Sequence, residues 1–165
     1  MKVGTTTSIM AALVAVMVLA GTALAGTARS AKTIIFTAKY SGTAVTKVTD
    51  NVVDISATGK GSGPLIGVGK IAGKGTGDSS QQPCVPFAGT GTLTGTAGTT
   101  ISFKVPVTSK GCGDEAGQVF SIVGKATVVK ATGKLLRAKG TLKFTGTYNR
   151  GTGAFSVKFT GTLTK

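Results

Sequence analysis

The most constraining feature of this chain is a strict period of two in which glycine keeps company with the hydrophobic residues. From Thr141 it reads TLKFTGTYNRGTGAFSVKFTGTL. Leu142, Phe144, Gly146 and Tyr148 fall in one row, and Thr141, Lys143, Thr145 and Thr147 in the other. After Asn149-Arg150-Gly151-Thr152-Gly153, the residues Phe155, Val157, Phe159, Gly161 and Leu163 repeat the first row, and Ser156, Lys158, Thr160 and Thr162 the second. Successive side chains of a strand point to opposite faces, so this is the pattern of an antiparallel hairpin with one buried and one wet face. Threonine suits the wet face because it is a strand former that tolerates water. Glycine in the buried row lets a strand bend sharply or another element approach closely, as a closing barrel requires.

The same alternation recurs along the chain. Gly89, Gly91, Leu93 and Gly95 form one inward row, Ile101, Phe103, Val105 and Val107 a second, and Phe120, Ile122, Gly124, Ala126 and Val128 a third. Further strand-like runs lie near Ile34 to Tyr40, Ala44 to Val48, Val52 to Ser56 and Leu65 to Lys74. Glycines and β-branched residues interrupt every window that could be a helix. The expected fold is therefore all-β, a single antiparallel β-barrel of about eight strands, with a β-sandwich as the alternative. The barrel is preferred because glycine repeatedly enters the inward rows and because closure removes exposed edges.

The amino-terminal stretch MKVGTTTSIMAALVAVMVLAGTALAG has one basic residue at Lys2, an apolar run from Ile9 to Ala20, and an Ala-x-Ala site at Ala23 and Ala25. That order predicts a signal peptide over residues 1–25, cleaved after Ala25, and a single domain over residues 26–165. The apolar run is short for a bilayer span of about 20 residues, so no transmembrane segment is expected after cleavage. Cys84 and Cys112, the two cysteines of the chain, then enter an oxidising compartment and are expected to form a structural disulfide. The mature chain carries a formal charge of +13, with 18 basic residues against five acids. Such a balance favours anionic partners, or simply keeps an edge-rich β protein soluble.

Several chemistries are excluded or unsupported. The chain has no histidine, which removes the usual Ser-His and Cys-His nucleophile arrangements. Asp50 and Asp54 in DNVVD would share one face of a strand, and could act as an acid and base pair only if that face lined a cavity. Asp114 and Glu115 in GCGDEAG lie in a loop without the dense acidic spacing of a calcium site. No catalytic residue, metal site or cofactor is assigned on these grounds. The glycine-rich GTGTLTG and GKGTG lack the ending of a phosphate-binding loop. Phe36, Phe103, Phe144, Phe155 and Phe159 fall in apolar rows, which argues against base-stacking platforms and a nucleic-acid partner.

The segment Ala131-Thr132-Gly133-Lys134-Leu135-Leu136-Arg137-Ala138-Lys139-Gly140, followed by a strand, resembles the GTGxF-x-x-A-x-G segment of dirigent proteins and allene oxide cyclases. Ala131 stands where a second glycine is common, and Leu135 where an aromatic residue is usual. The resemblance implies an eight-stranded barrel with an apolar cavity; it carries no catalytic residue onto this chain. The leader, the Gly/Thr-rich strands, QPCVPF and GAFSV together resemble small uncharacterised secreted proteins of actinobacteria.

The first functional reading is thus a secreted, non-enzymatic barrel, extracellular or associated with the cell envelope. It would bind either an apolar small molecule inside or an anionic envelope polymer through its lysines. A dirigent-like or cyclase-like catalyst and a purely structural envelope protein are the alternatives. Whether the interior is open or packed separates them.

Overall fold

A computed structural model describes residues 31–165; the leader expected over residues 1–25 lies outside them. Eight antiparallel strands follow one another as β1 (Thr33–Thr49), β2 (Val52–Gly63), β3 (Gly67–Asp78), β4 (Cys84–Thr94), β5 (Thr100–Gly113), β6 (Val119–Ala131), β7 (Lys139–Asn149) and β8 (Ala154–Thr164). Each pairs with its neighbours in sequence, and β8 returns to β1 to close an up-and-down barrel. The sandwich alternative is thereby set aside. No helix among the described residues is long and apolar enough to cross a membrane.

The two runs expected at Ile34 to Tyr40 and Ala44 to Val48 are one continuous strand, β1. Gly42 sits between them, faces inward opposite Gly59, and the two glycines let the strands pass where any Cβ would meet backbone. A second difference concerns Val107, expected in an inward row. The register of β5 shifts by two residues against both neighbours, between the Phe87 and Gly89 pairings on one side and between Lys104 and Lys110 on the other. The extra residues bulge out of the wall, and Val107 is 63% exposed. Gly95, expected in a strand, lies past the end of β4, where its amide donates to the Thr99 carbonyl at 2.8 Å.

One end of the barrel is sealed. Leu93, Ile101, Leu142 and Leu163 project inward there, and Ile66 and Leu135 from the connecting segments lie across them, all fully buried. The segment 131–140 makes this seal: Gly133–Leu135 is a single 3-10 turn with Gly133 at φ 58°, close against the Thr99 backbone, so that only glycine fits. Thr132 pins it, accepting from the Thr100 amide at 3.1 Å and donating to the Gly98 carbonyl at 2.7 Å. At the other end, Cys84 of β4 and Cys112 of β5 are directly paired and joined by a disulfide.

Tyr40 lies in the packed half, 2% exposed, with its hydroxyl buried and without a hydrogen-bond partner. Its ring contacts Phe159 edge-on at 6.3 Å between centroids. Burial pushes the phenol up to about 12 from its ordinary 10, because the anion would lose its hydration. The folded state therefore holds the proton more tightly than the unfolded chain. The resulting stability is complete below pH 10 and is lost as pH rises through about 12. Tyr40→Phe should abolish this alkaline loss in denaturant titrations and raise stability at neutral pH by about 1 kcal/mol, since an unpartnered buried hydroxyl is removed. Unchanged alkaline behaviour in the variant would show that another group controls it.

Candidate ligand cavity

The inward rows do not fill the barrel evenly. In the sealed half they carry Phe36, Leu93, Ile101, Leu142 and Leu163, which interdigitate. In the open half β3 contributes Gly73 and Gly75, β4 contributes Gly89, and β5 contributes Gly111, so a stretch of wall is bare backbone. The side chains opposite cannot cross the gap, and a cavity of about 460 Å³ remains. This lies within the range of small-molecule pockets, about 300–1,000 Å³.

Aromatic rings form its floor. Phe159 stands at the centre, with ring centroids 5.5 Å from Phe103 and 5.8 Å from Phe144, and Phe87 stacks obliquely on Phe144 at 6.2 Å. Val53, Ile55, Ala57, Val105 and Ile122 line the sides. One polar feature enters this hydrocarbon surface. Thr46, an inward exception among the threonines, shares a hydrogen bond of 3.1 Å with the Tyr148 hydroxyl. Towards the mouth the lining ends in Ser79, Gln82 and Arg150, on the connections β3–β4 and β7–β8.

The acids singled out in the sequence are not in this cavity. Asp50 occupies the β1–β2 turn with φ 54°, and Asp54 lies exposed on the outward face of β2, so they do not share a strand face. Asp114 and Glu115 are exposed in the β5–β6 connection, where Asp114 accepts from the Gln118 amide at 2.8 Å. Asp78, the last residue of β3, does the same for the β3–β4 turn. Its carboxylate accepts from the Ser80 hydroxyl at 2.6 Å and amide at 3.0 Å, which holds its pKa below the ordinary carboxylate value. These carboxylates shape turns. Among the described residues no group of three or more acidic or cysteine side chains comes together as a metal site.

Sequence reasoning placed the cavity-lining rows on the inner face but did not single out Thr46 and Tyr148 as a pair. They come from β1 and β7, which are not neighbours, and only the ring closure brings them together. The chain matches no model of a known protein family and no curated protein sequence.

Proposed function

We propose that this protein is an exported, non-enzymatic barrel that binds an apolar small molecule in its open half, with its outward lysines holding it to an anionic surface of the cell envelope. The observation that carries the reading is the cavity itself: about 460 Å³ of hydrocarbon-lined space with an aromatic floor and a single hydroxyl pair to orient a guest. The likeness of residues 131–140 to a segment of dirigent proteins and allene oxide cyclases, barrels with apolar cavities, points the same way.

Gly73 supplies the test. A Cβ placed there would come no nearer than 3.4 Å to the Thr90 carbonyl, an ordinary contact, so a larger side chain can enter the cavity without disturbing the wall. Gly73→Leu should keep the barrel's melting temperature or raise it, while weakening binding of a neutral apolar fluorophore such as N-phenyl-1-naphthylamine at least tenfold. Equal dye binding by the two proteins would place the dye elsewhere and remove the cavity from the functional account.

A further inference from the structure

The strand register arranges lysines in a way the sequence does not display. Lys125 of β6 is directly opposite Lys143 of β7, Lys158 of β8 is directly opposite Lys39 of β1, and Lys60 of β2 is directly opposite Lys70 of β3. The three pairs are also linked. Lys143 is opposite Thr160 and so diagonal to Lys158, and Lys39 is opposite Ser62 and so diagonal to Lys60. All six are exposed, on six consecutive strands of the closed ring. Directly opposed side chains on a sheet have Cβ atoms about 5 Å apart and diagonal ones about 7–8 Å, so the six make a continuous path of about 30 Å.

Like charges directly opposite one another destabilise a sheet. The outward residues flanking the path on its own strands include Thr37, Ser41, Thr58, Ser62, Thr141 and Thr160, with no carboxylate to offset the repulsion. The five acids lie elsewhere, in the connections at Asp50, Asp114 and Glu115, at the end of β3 at Asp78, and near the mouth at Asp54. The belt is thus a concentrated positive field with no internal partner.

We infer that the belt is a docking track for a flexible linear polyanion bearing a phosphate every few ångströms, such as a phosphodiester-linked envelope polymer. Charge complementarity selects an anion, and the shape of the track selects a flexible chain. The path crosses five of the ring's eight strand-to-strand intervals, about five-eighths of the circumference, whereas a flat anionic bilayer can touch one side of a barrel at a time. This deepens the envelope-binding half of the proposed function and rests on it.

The experiment measures binding of long-chain inorganic polyphosphate to the mature protein as a function of salt. Three proteins are compared: the unaltered chain, a belt variant (Lys39→Thr, Lys60→Thr, Lys143→Thr) and an off-belt variant of equal charge (Lys47→Thr, Lys130→Thr, Lys139→Thr). Threonine is already the commonest outward residue, and melting curves confirm folding. Counterion release gives a slope of about −0.7 per neutralised phosphate on a single-stranded chain. The belt variant should therefore lose about two units of log–log slope and at least tenfold in affinity at 0.1 M salt, the off-belt variant threefold or less. Without polyphosphate the belt variant should also melt higher, because opposed lysines have been removed. Equal losses in the two variants would overturn the track while leaving a general anionic attraction. No polyphosphate binding by the unaltered protein would remove that attraction too. Tighter binding to phosphatidylglycerol vesicles than to polyphosphate, with the same dependence on the belt, would replace the flexible chain by a flat surface and overturn the inference.

Discussion

Gly146→Ala should lower the melting temperature of the barrel by about 10 °C, and Gly161→Ala by much less. Both glycines interrupt apolar inward rows, of β7 and β8 respectively. A Cβ on Gly146 would be driven into the Ser156 carbonyl and lie 2.9 Å from Val157 Cα, so rigid backbone of the neighbouring strand would have to move. On Gly161 the overlap is shallower: the Thr141 carbonyl lies at 2.9 Å, the Leu142 Cδ2 methyl at 3.1 Å and Leu142 Cα at 3.2 Å, so a small shift of the neighbouring strand relieves it. Overpacking costs about 3 kcal/mol where the overlap is deep, near the upper end of the usual range, against about 1 kcal/mol where it is shallow. For a domain of this size 1 kcal/mol moves the melting temperature by roughly 3–5 °C. Calorimetry of the two variants checks the order. Melting temperatures unchanged from the unaltered protein in both variants would mean that these glycines are not where the wall requires close approach.

Removal of the disulfide should have an effect of similar size. Cys84 and Cys112 are separated by 28 residues, and a cross-link over such a loop restricts the unfolded chain enough to stabilise the fold by roughly 3.5 kcal/mol in the chain-entropy model. The double variant Cys84→Ala, Cys112→Ala should therefore unfold at lower denaturant concentration with little change in its native spectrum. The bond lies at the open end, between β4 and β5, where the bulge around Val107 already breaks the ladder. Dye affinity should fall along with stability, because these two strands carry Phe87, Gly89 and Val105 of the cavity wall. The oxidised protein should weigh two hydrogens less than its reduced form. Loss of less than 1 kcal/mol would show that the ladder alone holds this end.

The fold was legible because strand faces differ so sharply in chemistry. Rows such as Phe155, Val157, Phe159, Gly161 and Leu163 can face only inward, and the pairing of hairpin neighbours follows. Gly42 misled the reading of β1, since a glycine between two apolar runs looks like a break and here is a crossing point for Gly59. Val107 misled it through register, because alternation carried past Val105 cannot register the two added residues. The cavity was less legible. Its volume depends on which glycines face which aromatic rings across the ring, and Gly73, Gly75 and Gly89 come from strands far in sequence from Phe144 and Phe159. The lysine belt was hidden for the same reason, since opposition of Lys39 and Lys158 exists only after closure.

That closure has a consequence for assembly of the chain. Seven of the eight ladders join strands adjacent in sequence and can form as local hairpins. The β1–β8 seam alone unites opposite ends, with Lys32 and Lys165 exchanging backbone hydrogen bonds at 3.0 and 3.1 Å. Forming it requires closing nearly the whole chain into a loop, so it forms late and opens first. An open seam would expose two long unpaired edges, a template for joining one molecule to another. Lys39 and Lys158 lie on those two edge strands with outward side chains, so a head-to-tail contact between two half-open barrels repeats the opposition of lysines that the closed seam already carries. The lysine pair therefore penalises this joint within one ring and between two rings alike, and it is the closure of each ring on its own ends that removes both edges.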